Sequence, residues 1–417
     1  MKMFSDRVLR RNFSYLFVLQ LANYIIPLLV FPYLALTLGA ENFGRIMFAQ
    51  AFVAYFVLFV DFGFNVTATK DVVDNRGNFN DLSKTFWNVF LAKGFLVLIS
   101  FILYIIIILS VSRFQADYIL YTIAFINVLS NFLFPIWLFQ GLEKMGSITL
   151  INTLPRILMI VAIFYFVKTP SDYKLALFIQ MLAPMISALM SLIIAFRLWD
   201  LCYCKPNVEE AFKKISDSWL IFASSLSSNL YTTTNVVILG FLTSNAIVGI
   251  FSGADKIIRA LISIMSSTSQ VVFPRANSYF LESKTKCLDF IKKLCYLTAI
   301  VCLVLAIILY FGSNFIIAKL FKSTDYRNSV EVLRSSVLLP LFSVINGLIA
   351  VNYFVIFGYK KKLLKFVFIG TVFSLISIWP LVYFLKEIGP AICATATELV
   401  IFILFITYYL KTDRYAS

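Results

Sequence analysis

The chain reads as an all-α polytopic membrane protein, and three observations predict this. Of its 417 residues, 61% are hydrophobic and 14% charged, whereas soluble domains run about 45–50% apolar and about 25% charged. Windows of roughly 18 or more mostly apolar residues recur twelve times along it. The segments between them are short and polar, the longest about 20 residues, so no extramembrane domain fits. A single soluble core stops growing at about 250–300 residues; lipid as solvent removes that limit.

The first six windows are 14–38, 46–66, 86–110, 118–139, 148–167 and 175–196. Span 1 has no short h-region followed by a small-residue cleavage site, which predicts that it is retained. It carries Gln20, Asn23 and Tyr24 ahead of Pro27 and Pro32. Span 2 ends near Asp61, readable as a helix-end acid or as a gate. Span 3 holds Lys93, whose long stem favours snorkelling to the surface over facing a cavity. Span 4 closes on Phe139-Gln140-Gly141-Leu142-Glu143-Lys144. Span 5 places Arg156 directly after Pro155, either to grip phosphate oxygens bidentately or to snorkel. Span 6 contains Pro184.

The last six windows are 218–242, 247–272, 291–311, 330–357, 366–385 and 391–410. Span 7 is dense in hydroxyls and amides, among them Ser228, Asn229 and Thr233. Such a stripe either packs helices closely or lines a hydrated cavity with Gln20 and Asn23, and its recurrence in the first span of each half favours the cavity. Span 8 reads Asp255-Lys256-Ile257-Ile258-Arg259. Lys256 and Arg259 share a helix face, roughly 13 and 18 Å in from one end. They are either cations on the path of an anion or partners of Asp255. Span 10 begins with Glu331 and Arg334, three apart, expected as an interfacial pair. Span 12 holds Glu398, a possible coupling acid, with a salt bridge across its lobe as the stronger expectation.

Charge sets the orientation. With the N-terminus in the cytoplasm, cytoplasmic segments hold 23 basic residues and the opposite loops eight, which predicts both termini inside. Topology and anionic lipid thus absorb most of the +15 net charge, and nucleic acid is excluded as a partner because no basic module stands apart. Five bases remain within spans: Lys93, Arg156, Lys256, Arg259 and Arg334. A charge at the bilayer centre costs about 2.5–3.5 kcal/mol, so Lys256, Arg259, Arg156 and Lys93 are the cavity candidates, Arg334 being expected to pair with Glu331. Asp61, Asp255 and Glu398 are the candidates for coupling or gating. With no histidine and no phosphate-cradling loop, imidazole chemistry and a built-in ATPase are excluded. The six cysteines lie in or beside cytoplasmic segments or within spans, and Cys202-x-Cys204 lacks metal-ligand spacing. No catalytic residue, cofactor or metal is expected.

The halves repeat. Aligning Gly44 with Gly249 matches Ala49 with Ala254 and Gln50 with Asp255, and spans 4 and 10 both end in Gly followed by charge, at Gly141 and Gly358. Offsets of 205 and 217 predict parallel six-span lobes, 1–205 and 206–417, joined near 197–217 by a segment whose Glu209, Glu210, Lys213 and Lys214 suggest an interfacial helix.

The runs Phe31-Pro32-Tyr33-Leu34, Leu38-Gly39, Phe43-Gly44 and Phe134-Pro135-Ile136-Trp137-Leu138-Phe139-Gln140-Gly141-Leu142-Glu143-Lys144-Met145 resemble the polysaccharide-flippase branch of the multidrug/oligosaccharidyl-lipid/polysaccharide (MOP) exporters, and within it the Wzx-type O-antigen flippases. The resemblance covers essentially the whole chain and is looser in the second half. It implies two six-helix lobes around a central cavity in the bacterial inner membrane. The implied cargo is an undecaprenyl-pyrophosphate-linked O-antigen repeat unit, moved from the cytoplasmic to the periplasmic leaflet. An O-antigen polymerase and a chain-length regulator are the implied protein partners. The alternatives are another exporter of the superfamily, for teichoic or capsular polysaccharide or for a drug or organic cation, and an integral-membrane polymerase. An acid-dominated cavity would mark the cation exporter; a large extramembrane loop or carboxylate-rich metal site would mark the enzyme. A lipid-II-type flippase usually carries two further spans.

Overall fold

The computed structural model describes residues 7–198 and 201–414, with side chains outside 7–28, 145, 198, 267–268, 270–271 and 413–414. In chain order its helices are α1 (Arg7–Asp61), α2 (Phe64–Asp74), α3 (Phe79–Ser110), α4 (Ser112–Gln115), α5 (Tyr118–Leu133), α6 (Ile136–Gly141), α7 (Met145–Phe166), α8 (Tyr173–Leu198), α9 (Val208–Leu242), α10 (Asn245–Glu282), α11 (Lys284–Phe321), α12 (Ser329–Ser335), α13 (Leu339–Ile349), α14 (Lys360–Leu385) and α15 (Gly389–Arg414). No strand occurs among the described residues. In lipid each backbone N–H and C=O must be satisfied internally, which helices do within one segment.

All twelve predicted windows are helical. The first two share α1, which is broken at Gly39 (φ 73°, ψ 167°), a conformation that glycine alone adopts cheaply. The fourth is split into α5 and α6 at Phe134-Pro135, because Pro135 has no N–H to continue the ladder. The tenth bends by 45° between Thr324–Ser335 and Leu339–Val355, and its second part runs from α13 into a π-helical stretch at Ala350–Val355. Among the described residues, seven stretches are long and apolar enough to cross a membrane, eight with the bent pair. Leu29–Asp74 holds part of the first window and all of the second, and Lys360–Thr412 holds all of the last two. The windows left over are α9 and α10, whose polar side chains set them apart from spans that face lipid alone. Among its described residues, the segment near 197–217 forms no separate interfacial helix. α9 starts at Val208 and continues unbroken into span 7, with Glu209 and Glu210 in its first turn, where acids suit the helix dipole.

Two compact units form, one of Met1–Ile26 with Ala49–Leu226, the other of Pro27–Phe48 with Ser227–Ser417. Beside the division near 205 expected from the linker, these units group the corner of α1 with the second half and the start of α9 with the first.

In the first unit α8 packs on α5 and α7, and α2 packs on α6 and α3. The start of α9 is held there by polar and aromatic contacts. Lys214 Nζ lies 2.7 Å from Asp71 Oδ2, and the Thr67 and Ser218 hydroxyls are 2.7 Å apart. Phe62 stacks on Phe222 at 4.3 Å.

In the second unit α13 packs on α10, α11 and α15, and α14 packs on α15. Its core includes Ile345, Ile349, Phe354, Ile401 and Phe405. The corner of α1 meets the start of α10 through glycine. The backbone of Asn245 leaves no room for a Cβ at Gly44, and the backbone of Ala40 leaves none at Gly249. The 205-residue offset carries Ala40 onto Asn245 and Gly44 onto Gly249, so the two contacts exchange under it. A pair of elements meeting about a two-fold axis has this signature.

Candidate substrate site

Four helices of the second unit supply the walls of a cavity of about 250 Å³. Helical spacing brings the side chains together: Tyr231 and Thr232 come from α9, Arg259, Ile262 and Ser263 from α10, Leu339 and Ser343 from α13, and Ala394 and Glu398 from α15. On the last three helices the residues stand three or four apart, and so line one face. Two of the contributing helices are the ones too polar to qualify as simple spans.

Arg259 and Glu398 face this cavity. Arg259 Nε donates to Asp255 Oδ2 at 2.7 Å, and Nη2 reaches the Thr232 carbonyl at 3.4 Å. Asp255 is buried, while the Arg259 side chain keeps 34% exposure. Glu398 is buried as well. Its Oε2 accepts from Asn346 Nδ2 at 2.7 Å, the same amide donates to the Glu398 carbonyl at 2.8 Å, and the Tyr231 hydroxyl approaches Oε1 at 3.4 Å. Among the described residues, hydrogen bonds rather than the expected salt bridge hold this acid, with the charge of Arg259 on α10 acting on it as well. Lys256 diverges from Arg259: its ammonium lies 4.6 Å from the centre of the Phe31 ring, a cation–π contact, and it does not line the cavity.

The remaining expected residues scatter. Lys93 does not snorkel. It is buried, and its Nζ donates to the Asn131 carbonyl at 2.8 Å, an internal acceptor that satisfies an ammonium in place of water. Asp61 accepts from Asn65 Nδ2 at 2.6 Å, and its charge interacts with that of Lys93. Arg156 is half-buried on α7, one turn after Asn152. Arg334 and Glu331 pair as expected, at 2.9 Å. In the span 7 stripe, the Ser228 and Asn229 carbonyls both accept from Thr232 Oγ1. Tyr231 and Thr232 reach the cavity, whereas Ser228, Asn229 and Thr233 do not line it. The side chains of Gln20 and Asn23 lie outside the described residues. Ser263, Ser343 and Asn346 were missed; the signal was Ser343 and Asn346 three apart in an otherwise apolar span.

Comparison with known proteins follows the same lines. The sequence profile of the family described as "Polysaccharide biosynthesis protein" matches residues 9–280. A relative from Escherichia coli (strain K12) described as "Putative O-antigen transporter" is 33% identical over 390 residues, 94% of either chain. Another of the same description, from Shigella dysenteriae, is 27% identical over 399 residues, 94% of this chain and 98% of its own. Among solved structures, the lipid II flippase MurJ in an inward closed conformation superposes with a TM-score of 0.79 at 14% identity, over 95% of this chain and 87% of that one. An inward-facing multidrug resistance MATE family transporter of the MOP superfamily gives 0.67 at 16% identity, over 96% of both chains.

Proposed function

The chain belongs to the polysaccharide biosynthesis protein family, and from that premise we propose that it flips undecaprenyl-pyrophosphate-linked O-antigen repeat units across the bacterial inner membrane. It is a multi-pass membrane transporter and not an enzyme, as its relatives are transporters. The observation that carries the finer reading is the full-length similarity to O-antigen transporters, at 33% identity over 94% of both chains. Movement runs from the cytoplasmic to the periplasmic leaflet by alternating access between two parallel six-span lobes, 1–205 and 206–417, with both termini cytoplasmic. Lys256, Arg259, Arg156 and Lys93 are the candidate cations for binding the cargo, and Asp61, Asp255 and Glu398 the candidate acids for coupling or gating. An O-antigen polymerase and a chain-length regulator are the proposed partners.

The test is deletion followed by analysis of lipid-linked sugars. Complete repeat units trapped on the cytoplasmic leaflet are expected. Repeat units that reach the periplasm but stay unpolymerised would overturn the reading in favour of a polymerase. One observation favours a second reading: Asp255 and Glu398 surround a single arginine in and beside the cavity, a balance suited to a cationic cargo. Export of an organic cation, with no lipid-linked sugar accumulating on deletion, would establish it.

A further inference from the structure

We propose that the cavity of the second unit is a subsite for one sugar ring of the cargo, and that the pyrophosphate is held elsewhere; this rests on the flippase reading above. The charge balance argues against pyrophosphate. Arg259 is the cation of the lining, and its Nε is already engaged by Asp255 at 2.7 Å. Glu398 adds a second carboxylate to the same space. Lys256, which would tip the balance, lies against Phe31. Two carboxylates beside one guanidinium repel a multiply charged anion, and low-dielectric surroundings strengthen the repulsion.

The same groups suit a neutral polyol. A sugar ring has hydroxyls around its edge and C–H groups on its faces. The cavity offers Glu398 as acceptor, Arg259 as donor, and the hydroxyls of Tyr231 and Ser343, which both donate and accept. Ile262 and Leu339 supply apolar surface. Glu398 is fixed for this task by Asn346, which donates to Oε2 at 2.7 Å and to its carbonyl at 2.8 Å, and its carboxylate also accepts from the Ser343 hydroxyl and, more loosely, from Tyr231 at 3.4 Å. A substrate hydroxyl can replace that contact at little cost. Sites built to hydrogen-bond a hydroxyl reject analogues that misplace it, because their own buried groups are then left unpaired. The cavity therefore reads the configuration of the sugar, while cations outside it hold the phosphates.

The test uses purified full-length protein in proteoliposomes and three lipids: undecaprenyl pyrophosphate bare, carrying N-acetylglucosamine, or carrying its C4 epimer N-acetylgalactosamine. Wild type is expected to prefer one epimer over the other and both over the bare lipid. Tyr231→Phe and Ser343→Ala should lower transport of the preferred epimer by about tenfold or more and shrink the ratio between epimers. Lys256→Ala should lower both epimers by one common factor. Wild type that moves the bare lipid as fast as the glycolipids, or treats the epimers alike, overturns the subsite without recourse to any variant. So do Tyr231→Phe and Ser343→Ala proteins that lose both epimers equally. If wild type moves none of the three lipids, the flippase reading itself fails and the subsite with it.

Discussion

At the scale of residues, the arrangement around Arg259 turns on its neighbour one turn away. Lys256 and Arg259 are three apart in sequence, yet one packs against an aromatic ring and the other bonds to Asp255. Both are expected to be required: Lys256→Ala and Arg259→Ala should abolish surface O-antigen while leaving protein levels intact, and Lys256→Arg should be milder. Normal O-antigen in both alanine variants would remove these cations from the transport path. Asp255→Ala has a different signature, because it strands a half-buried guanidinium. Breaking a buried pair costs about 3–5 kcal/mol and an exposed one up to about 1, so this partly exposed pair should cost about 1–3 kcal/mol. The thermal midpoint in detergent reads that loss. The double variant Asp255→Ala/Arg259→Ala should recover part of it, because no uncompensated charge remains. A double variant as unstable as the sum of the two singles would show that the pair is not energetically coupled.

At the scale of elements, the contact between α1 and α10 depends on two glycines whose Cβ positions are already filled by backbone. Backbone cannot swing aside as a side chain can. Gly44→Val and Gly249→Val should therefore each disfavour the packed seam by about 1–3 kcal/mol, the usual cost of overpacking, or roughly 5- to 150-fold in population. Spin labels at the exposed Leu36 and Leu242 should report a longer-distance population in both variants. Because the 205-residue offset exchanges the two contacts, the two effects should be of similar size. A folded variant with an unchanged distance distribution would rule out the seam as a separable contact. The offset was legible in sequence because both glycines sit at the same place in their repeats. What the sequence could not show is that the equivalent segments touch, since a repeat specifies similar elements and not how they pack. The same limit explains Ser343 and Asn346. Two polar residues in an apolar window look like isolated costs until α15 supplies Glu398 as partner. Lys93 is buried for a related reason: the carbonyl that satisfies it belongs to Asn131 on the next span, and an internal acceptor is invisible to an argument from depth alone.

At the scale of the whole molecule, helical geometry alone leaves the direction of insertion open, because a helical bundle satisfies its backbone equally well either way up. The asymmetry of basic residues breaks the tie, with 23 on the side proposed as cytoplasmic against eight on the other. Each lysine or arginine near a span end is held back on the side of synthesis and is further attracted by anionic lipid, at about 1 kcal/mol per residue near the surface. The surplus is spread over every segment of that face, so no single substitution should invert the protein. A native reporter stands on the same face. Cys202 is exposed, and it precedes α9 in the segment that joins the two halves, anchored by Trp87 Nε1 to its carbonyl at 3.1 Å and by Ser83 Oγ to its amide at 3.2 Å. A membrane-impermeant maleimide should leave Cys202 unmodified in intact spheroplasts and modify it once the membrane is opened, with Cys202→Ser removing that adduct. A cysteine introduced at Lys322, in an opposite loop, should react in intact cells. The reverse pattern at both positions would turn the topology over, and with it the proposed direction of transport.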